Sequence, residues 1–153
     1  MLSKNTKETE KIAKIFLKRI LNAKSLPKGA LAVCLSGDLG TGKTAFTQSV
    51  AKHLGIKEKI KSPTFVIMKS YKLKAKNYKR FFHIDAYRLK NEKELLSLGW
   101  EGIISNKEHL VFIEWPENVS KIIPTDARFI YISHGKNGSR NLKLSARGGS
   151  ALG

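Results

Sequence analysis

The chain has 153 residues, of which 41% are hydrophobic and 8% aromatic, which is typical of one globular domain with a substantial core. No apolar run approaches the roughly 20 residues that a membrane-spanning helix needs, and the charged N-terminus is unlike a signal peptide. The single cysteine, Cys34, excludes a disulfide within the chain, and we expect a cytoplasmic protein with no membrane contact. We assign residues 1–145 to one domain and residues 146–153 to a flexible tail.

The net charge of +17 is concentrated in the first half of the chain. Residues 1–80 hold 19 Lys and Arg residues against 4 Asp and Glu residues, whereas residues 81–153 hold 10 against 8. This asymmetry indicates either a surface for RNA or an acidic partner, or a composition biased toward lysine, since 23 of the 29 basic residues are lysines. Lysine lacks the planar fork with which arginine binds phosphate. Charge alone leaves both interpretations open.

Hydrophobic spacing predicts helices and strands in alternation. The first predicted helix begins near Asn5 or Thr6. Its apolar stripe comprises Ile12, Ile15, Phe16, Ile20 and Leu21. The predicted helices cover residues 6–23, 45–54 and 91–98, the last opened by a capping box with Asn91 at the cap. The predicted strands cover residues 30–36, 65–71, 80–84, 110–113, 129–133 and 142–144, of which the last two form an antiparallel pair.

The segment from residue 71 to residue 80 holds five cations and no acid, with Tyr71 and Tyr78 near its ends. It is predicted to form a hairpin between the strands at 65–71 and 80–84. Interleaved aromatic rings and cations can bind RNA by stacking. More often, lysines in this position protect an exposed sheet edge from pairing with another chain.

The segment at residues 37–44 fits the pattern G-x-x-x-x-G-K-[ST] at every fixed position. It follows a predicted strand and precedes a predicted helix, which is the context that makes this pattern a phosphate site. The backbone N–H groups of such a loop surround phosphate oxygens, while Lys43 reaches the β- and γ-phosphates and the Thr44 hydroxyl holds Mg²⁺. The predicted nucleotide contacts are Asp38, Leu39, Gly40, Thr41, Gly42, Lys43 and Thr44.

Two carboxylates are candidates for chemistry beside that loop. Glu114 directly follows the apolar strand at 110–113, where many P-loop proteins carry an acid in the Mg²⁺ shell. Asp85 lies between His83 and Arg88, and could order an attacking water. The structural alternatives are a solvent-facing acid for Glu114, a salt bridge between Asp85 and Arg88, and a core position for His83. Of these three structural alternatives, we favour only the core position for His83.

Other patterns narrow the class of nucleotide enzyme. Thr64 follows the P-loop helix, where threonines of many P-loop proteins sense the γ-phosphate, although Ser-Pro-Thr also simply begins a strand. Residues 106–109 begin like the guanine-reading N-K-x-D motif, but His109 stands where the aspartate is required. A GTPase is therefore disfavoured. A small kinase stays open, although the chain is short and has no arginine-rich lid.

Five segments of the chain form a recognisable set. They are residues 37–44, Lys-Ser-Pro-Thr-Phe at 61–65, His-Ile-Asp-Ala-Tyr-Arg-Leu at 83–89, Glu-Leu-Leu-Ser-Leu-Gly at 94–99 and Ile-Glu-Trp-Pro-Glu at 113–117. In this order they resemble the TsaE (YjeE) family, the P-loop ATPases of bacterial tRNA threonylcarbamoyladenosine synthesis. Many proteins share the first, whereas its combination with the third and fifth is characteristic of this family. The resemblance covers about residues 9–144.

The resemblance implies an ATPase that uses ATP and Mg²⁺, is weak alone and is stimulated by the partner proteins TsaD and TsaB. In this family, TsaD modifies adenosine 37 of tRNAs that read ANN codons. The resemblance also implies that Thr44 and Glu114 hold Mg²⁺, and that Asp85 positions the hydrolytic water. It places Trp115 near the nucleotide or the partner surface, and Thr9 and Arg140 near the nucleotide. The charge of +17 exceeds what we expect for the family, and leaves open a contact with tRNA through the basic N-terminal half.

We therefore predict a three-layer α/β P-loop NTPase fold, in which a mixed sheet has parallel central strands and an antiparallel extension. The predicted function is that of an ATP-hydrolysing component of tRNA modification. The alternatives are a small P-loop kinase and a basic RNA-binding module with a vestigial nucleotide site.

Overall fold

The computed structural model describes residues 1–63 and 65–146, the last without its side chain. Thr64, for which we predicted a sensor role, lies outside the described residues. The predicted flexible tail, residues 146–153, also lies outside them except for Ala146. The strands are β1 Leu2–Ser3, β2 Leu31–Ser36, β3 Met68–Lys72, β4 Arg80–Asp85, β5 His109–Glu114, β6 Arg128–His134 and β7 Arg140–Ala146. The α-helices are α1 Thr6–Leu21, α2 Lys43–His53, α3 Lys93–Ser97 and α4 Trp100–Ser105, and two 3₁₀ segments cover Pro116–Ile122 and Lys136–Gly138.

The seven strands form one sheet in the order β1-β7-β6-β2-β5-β4-β3. The four central strands, β6, β2, β5 and β4, are parallel. The strands at the two sides, β3 on one and β7 with β1 on the other, run antiparallel to their neighbours. The predicted mixed sheet is confirmed, and its antiparallel strands lie at both edges.

Two hydrophobic cores cover the two faces of the sheet, and β2 contributes to both. Leu31, Val33 and Leu35 pack in one core with side chains of α1 and α2. Ala32 and Cys34 point the other way, into a core that includes side chains of α3 and α4. This alternation follows from the two-residue period of a strand, and it confirms the predicted three-layer arrangement. Cys34 is buried as a small hydrophobe.

Helix α1 begins as predicted, because the Asn5 side chain accepts a hydrogen bond from the Glu8 backbone N–H at 3.0 Å. Its buried stripe includes Ile12, Phe16 and Ile20. The prediction for Ile15 was wrong, since this side chain is 45% exposed. At 100° per residue, Ile15 lies outside the arc that Ile12, Phe16 and Ile20 share, on the side away from the sheet.

The predicted strand at 65–71 is shorter than expected, because the chain turns sharply before β3. Ile67 has a φ of 65°, which is rare for a β-branched residue. Its carbonyl accepts a hydrogen bond from the Asp85 backbone N–H at 2.8 Å, so the turn is attached to the end of β4. Phe65, which precedes the turn, is 83% exposed instead of lying in a strand.

The hairpin of β3 and β4 forms as predicted, with Tyr71 opposite Phe81. Tyr71 and Tyr78 are both buried in the core under α1 and α2. Burial and the loss of solvation raise the pKa of both phenols. Neither ring is available for stacking on RNA bases, so the sheet-edge interpretation of this segment is the one that its geometry supports.

Smaller elements differ from prediction at the termini and in α3. Asn91 accepts a hydrogen bond from the Lys93 backbone N–H at 2.9 Å, and Glu92 takes the position before the helix. Strand β1, helix α4 and the 3₁₀ segments were not predicted. In the part of the chain that the structure describes, no helix has the length and apolar character needed to cross a bilayer.

Candidate nucleotide site

The carboxyl ends of three neighbouring parallel strands meet at one cleft of about 320 Å³. The P-loop follows β2, Glu114 ends β5 and Asp85 ends β4. Ser62, Tyr87 and Trp115 complete the lining. Ligands of open α/β sheets bind at this end of the strands, where connecting loops leave a crevice.

Glycine is required at two positions of the P-loop. A Cβ at Gly37 would lie 2.2 Å from the Ile132 carbonyl oxygen on the neighbouring strand, and Gly37 has a φ of 155°. Gly42, with a φ of 98°, occupies the position before α2. Between them the Thr41 hydroxyl donates a hydrogen bond to the Asp38 carbonyl at 2.9 Å. The loop therefore adopts a compact conformation that a side chain at Gly37 or Gly42 would disturb.

Lys43 is 5% exposed and lies across the loop. Its ammonium donates hydrogen bonds to the Gly37 carbonyl and, at 2.9 Å, to the Asp38 carbonyl. The same nitrogen lies 4.3 Å from the ring centroid of Trp115. Burial lowers the pKa of Lys43, and nearby carboxylates, Glu114 first, oppose this shift. A phosphate oxygen in the loop would meet a cation that is already positioned.

Glu114 joins the P-loop helix to β4 through its two carboxylate oxygens. Thr44 donates its hydroxyl hydrogen to Oε1 at 2.9 Å. Oε2 lies 2.9 Å from Nε2 of His83, which donates because a carboxylate can only accept. Glu114 is 3% exposed, so the alternative of a solvent-facing acid was wrong.

His83 occupies the core position that we favoured, and its side chain is 0% exposed. Sequence reasoning missed its hydrogen bond to Glu114. The two residues are 31 positions apart but lie on adjacent parallel strands, where His83 is level with Phe112 and Asp85 with Glu114. Its other ring nitrogen, Nδ1, has no hydrogen-bond partner among the described residues.

Asp85 is buried, and both of its carboxylate oxygens accept hydrogen bonds. Oδ1 accepts from the Tyr87 backbone N–H at 3.0 Å, and Oδ2 accepts from the Ser62 hydroxyl at 3.3 Å. Strand β4 ends at Asp85, so Tyr87 lies in a turn and its ring packs 5.0 Å from that of Trp115. The guanidinium of Arg88 lies 4.5 Å from the ring centroid of Phe65.

Six of the ten predicted nucleotide contacts line the cleft. Asp38 and Thr41 belong to the P-loop but not to the lining, and Thr9 and Arg140 come from other elements. Arg140 lies against the P-loop, because a Cβ built on Gly42 would be 2.8 Å from its guanidinium. Thr9 is buried in α1, where its hydroxyl lies 2.7 Å from that of Ser3. The nucleotide roles of both residues stay predictions.

The donor set around Thr44 fits a magnesium ion. A hydroxyl and a buried carboxylate supply the hard oxygen ligands that Mg²⁺ prefers, 2.9 Å apart. The described residues contain no cluster of three or more His, Cys, Asp or Glu side chains that could enclose a metal. An ion bound here would thus take its other ligands from nucleotide phosphates and water, as Mg²⁺ does in nucleotide enzymes.

Comparison with known proteins connects this geometry to a family. The model of the family described as "Threonylcarbamoyl adenosine biosynthesis protein TsaE" matches residues 3–142. A protein of Rickettsia felis named tRNA threonylcarbamoyladenosine biosynthesis protein TsaE is 36% identical over 124 residues, which is 80% of this chain and 66% of the relative. The Bacillus subtilis protein of the same name is 31% identical over 144 residues, 94% of this chain and 83% of its own.

A solved structure agrees with these relatives. The crystal structure of YdiB from Bacillus subtilis superimposes with a TM-score of 0.73 at 26% identity, covering 97% of this chain and 84% of that one. The resemblance inferred from the five short segments is therefore confirmed across nearly the whole length. This chain belongs to the TsaE family of threonylcarbamoyladenosine biosynthesis proteins.

Proposed function

We propose that this protein binds ATP with Mg²⁺ in the cleft and hydrolyses it, as the ATPase component of threonylcarbamoyl transfer to adenosine 37 of tRNAs that read ANN codons. Its partners in this role are homologues of TsaD and TsaB. The observation that carries the proposal is the hydrogen bond of 2.9 Å between Thr44 and Glu114, beside a buried lysine in a complete P-loop.

The triphosphate binds through the P-loop backbone and Lys43. In the free protein the lysine ammonium donates to two carbonyls of its own loop, and phosphate oxygens are better acceptors because they are charged. The N-terminus of α2 adds its positive dipole end to the same site. The missing aspartate of the guanine motif, with His109 in its place, favours adenine over guanine.

Thr44 and Glu114 hold the Mg²⁺ ion, which when bound neutralises charge on the β- and γ-phosphates. His83 holds the second oxygen of Glu114, so the carboxylate keeps one orientation toward Thr44. Such a buried supporting bond orients a ligand in the way that outer-shell residues do in other metal sites.

Asp85 positions the water that attacks the γ-phosphorus. The new bond forms between the water oxygen and phosphorus, the bond to the β–γ bridging oxygen breaks, and ADP, inorganic phosphate and the proton released from the water leave. The bonds from Ser62 and Tyr87 keep the Asp85 carboxylate in one orientation at the cleft. Fixed positioning of this kind supplies much of the catalysis in phosphoryl transfer.

Dependence on partner proteins is supported by the rim of the cleft. Leu39 of the P-loop and Tyr87 are large side chains that line the cleft and are 69% and 45% exposed. Apolar groups collected around a site are typical of a surface that another protein covers. A partner seated on this rim would exclude water from the cleft and strengthen its electrostatic interactions.

The test is ATP hydrolysis, measured as release of inorganic phosphate with and without the TsaB–TsaD pair. We expect stimulation of the wild type by the pair, and a loss of about 100-fold or more in Thr44→Ala, Asp85→Ala and Glu114→Ala. Absence of stimulation, together with wild-type rates in the three variants, would contradict the proposal. Phosphate that appears on an acceptor instead of in solution would identify a kinase.

A further inference from the structure

The two helical layers of the fold differ in net charge. Residues 4–21 and 45–61, which form α1, α2 and their flanking segments on one face of the sheet, hold 10 Lys and Arg residues against 3 acids. Residues 86–108 and 115–127, which carry α3, α4 and a 3₁₀ segment on the other face, hold 5 against 6. A composition biased toward lysine would raise both layers alike. Of the two helical layers, the one that contains α1 and α2 therefore carries the excess of positive charge.

The centre of this basic layer is a row of four lysines on α1. Lys7, Lys11, Lys14 and Lys18 follow one another at intervals of three and four residues, so they share one face of the helix. All four are exposed, opposite the stripe that packs on the sheet. At a rise of 1.5 Å per residue, the row is roughly 16 Å long.

The lysines of this α1 lysine row have no acidic partner among the residues that the structure describes. The two acids of α1 are engaged elsewhere, since Glu8 accepts from the Lys4 backbone N–H at 2.6 Å and Glu10 pairs with Lys52 at 3.3 Å. Like charges three and four residues apart destabilise a helix. An external polyanion would relieve that repulsion.

We propose that the α1 lysine row binds the phosphate backbone of double-helical RNA. The choice of RNA rests on the proposed function in tRNA modification. Lysine acts as a point charge, which suits phosphate contacts better than the reading of base edges. The aromatic rings of this layer, Phe16 and Phe46 with Tyr71 and Tyr78 of the hairpin, are buried. A surface with exposed lysines and buried rings fits a helix backbone better than unstacked single strands.

The experiment measures binding of a tRNA transcript by fluorescence anisotropy at several salt concentrations. The row variant replaces Lys7, Lys11, Lys14 and Lys18 by Gln together. A matched control replaces Lys90, Lys93, Lys107 and Lys121, exposed lysines associated with the other layer, and has the same net charge. Glutamine and lysine have similar helix propensities, and circular dichroism verifies folding of both proteins.

We expect the row variant to lose at least 10-fold in affinity and the control to stay within about 2-fold. Each phosphate contact contributes about 0.7–0.9 to the slope of log K against log salt, so the slope of the row variant falls by about 3. Equal losses in both variants, or wild-type binding by the row variant, would overturn the proposal. Should the row variant fail to fold, two double variants replace it, one with Gln at positions 7 and 11 and one with Gln at positions 14 and 18. Each is compared with the control in the same binding experiment.

Two competitors test the kind of partner. An RNA hairpin should displace the transcript, whereas polyglutamate and a single-stranded RNA of equal length should compete more weakly. Stronger competition by polyglutamate would identify an acidic protein as the partner and overturn the RNA proposal. Partner-stimulated ATP hydrolysis in the absence of tRNA should be unchanged in the row variant. The two proposals thus fail separately, since loss of hydrolysis in Glu114→Ala and loss of tRNA binding in the row variant are independent measurements.

Discussion

The hydrogen bond between His83 and Glu114 makes a quantitative prediction about stability. His83→Ala removes the donor of a 2.9 Å bond and leaves Oε2 of a buried carboxylate without it. Both side chains are almost fully enclosed, with exposures of 0% and 4%. Removing the donor of a buried hydrogen bond costs about 3 kcal/mol or more when the acceptor left without it is a charged group. We expect a loss of this size in the free energy of unfolding.

The conservative variant separates the hydrogen bond from the volume of the ring. In His83→Gln the side-chain amide can still donate to Glu114, so we expect a loss of only about 1–2 kcal/mol. A double-mutant cycle with Glu114→Ala then isolates the pair. A charge-assisted hydrogen bond predicts a coupling energy of about 1.5–3 kcal/mol between the two positions.

Urea unfolding followed by circular dichroism measures all four proteins of the cycle, with the m-value as a check that the transition is unchanged. Binding of Mg²⁺ with a non-hydrolysable ATP analogue provides the second measurement. His83→Ala should weaken binding of the metal–nucleotide complex more than His83→Gln does, because the amide still holds the carboxylate. A coupling energy below about 0.5 kcal/mol, the range of independent sites, would refute the reasoning.

Three further predictions concern Gly37, Lys43 and Trp115 of the candidate nucleotide site. Gly37→Ala should destabilise the protein by at least 3 kcal/mol in urea unfolding, because its Cβ would lie 2.2 Å from a carbonyl oxygen, whereas Gly55→Ala, at a φ of 81° with open space around it, should cost about 1 kcal/mol. Burial lowers the pKa of Lys43 from 10.5, so the folded state binds fewer protons than the unfolded state at alkaline pH, and this group's contribution to stability rises with pH up to about 10.5. In Lys43→Met, the rise of stability with pH that is due to Lys43 should be missing from the measured stability–pH curve. A variant curve parallel to that of the wild type would contradict this prediction. Nucleotide binding should change the fluorescence of Trp115, whose ring lies 4.3 Å from the Lys43 ammonium. The change should persist in Trp100→Phe and disappear in Trp115→Phe.

Much of the site was predictable because its parts are local or lie at strand ends. The pattern at 37–44 contains its own turn chemistry, and the flanking strand and helix follow from hydrophobic spacing. The pairing of Asp85 with Glu114 at one edge was foreseeable in outline, since the carboxyl ends of parallel strands converge.

Other features depend on partners that are distant along the chain. His83 looked like an ordinary core histidine, and only the register of β4 against β5 places its ring beside Glu114. Ile15 has the spacing of a core-facing residue, but it lies outside the arc of α1 that packs in the core and is therefore exposed. The orientation of Asp85 depends on Ser62, which lies in a loop that no periodic pattern describes.

Residue types at short spacing were enough to identify the phosphate loop, the alternation of helices and strands, and the family. The sequence also established that the first 80 residues are strongly basic, without showing where those charges lie. Only the tertiary structure placed Tyr71 and Tyr78 in the core, left the four lysines of α1 without an ion pair among the described residues and joined His83 to Glu114. Burial and cross-strand register are properties of the folded sheet, since they arise when distant segments pack against one another.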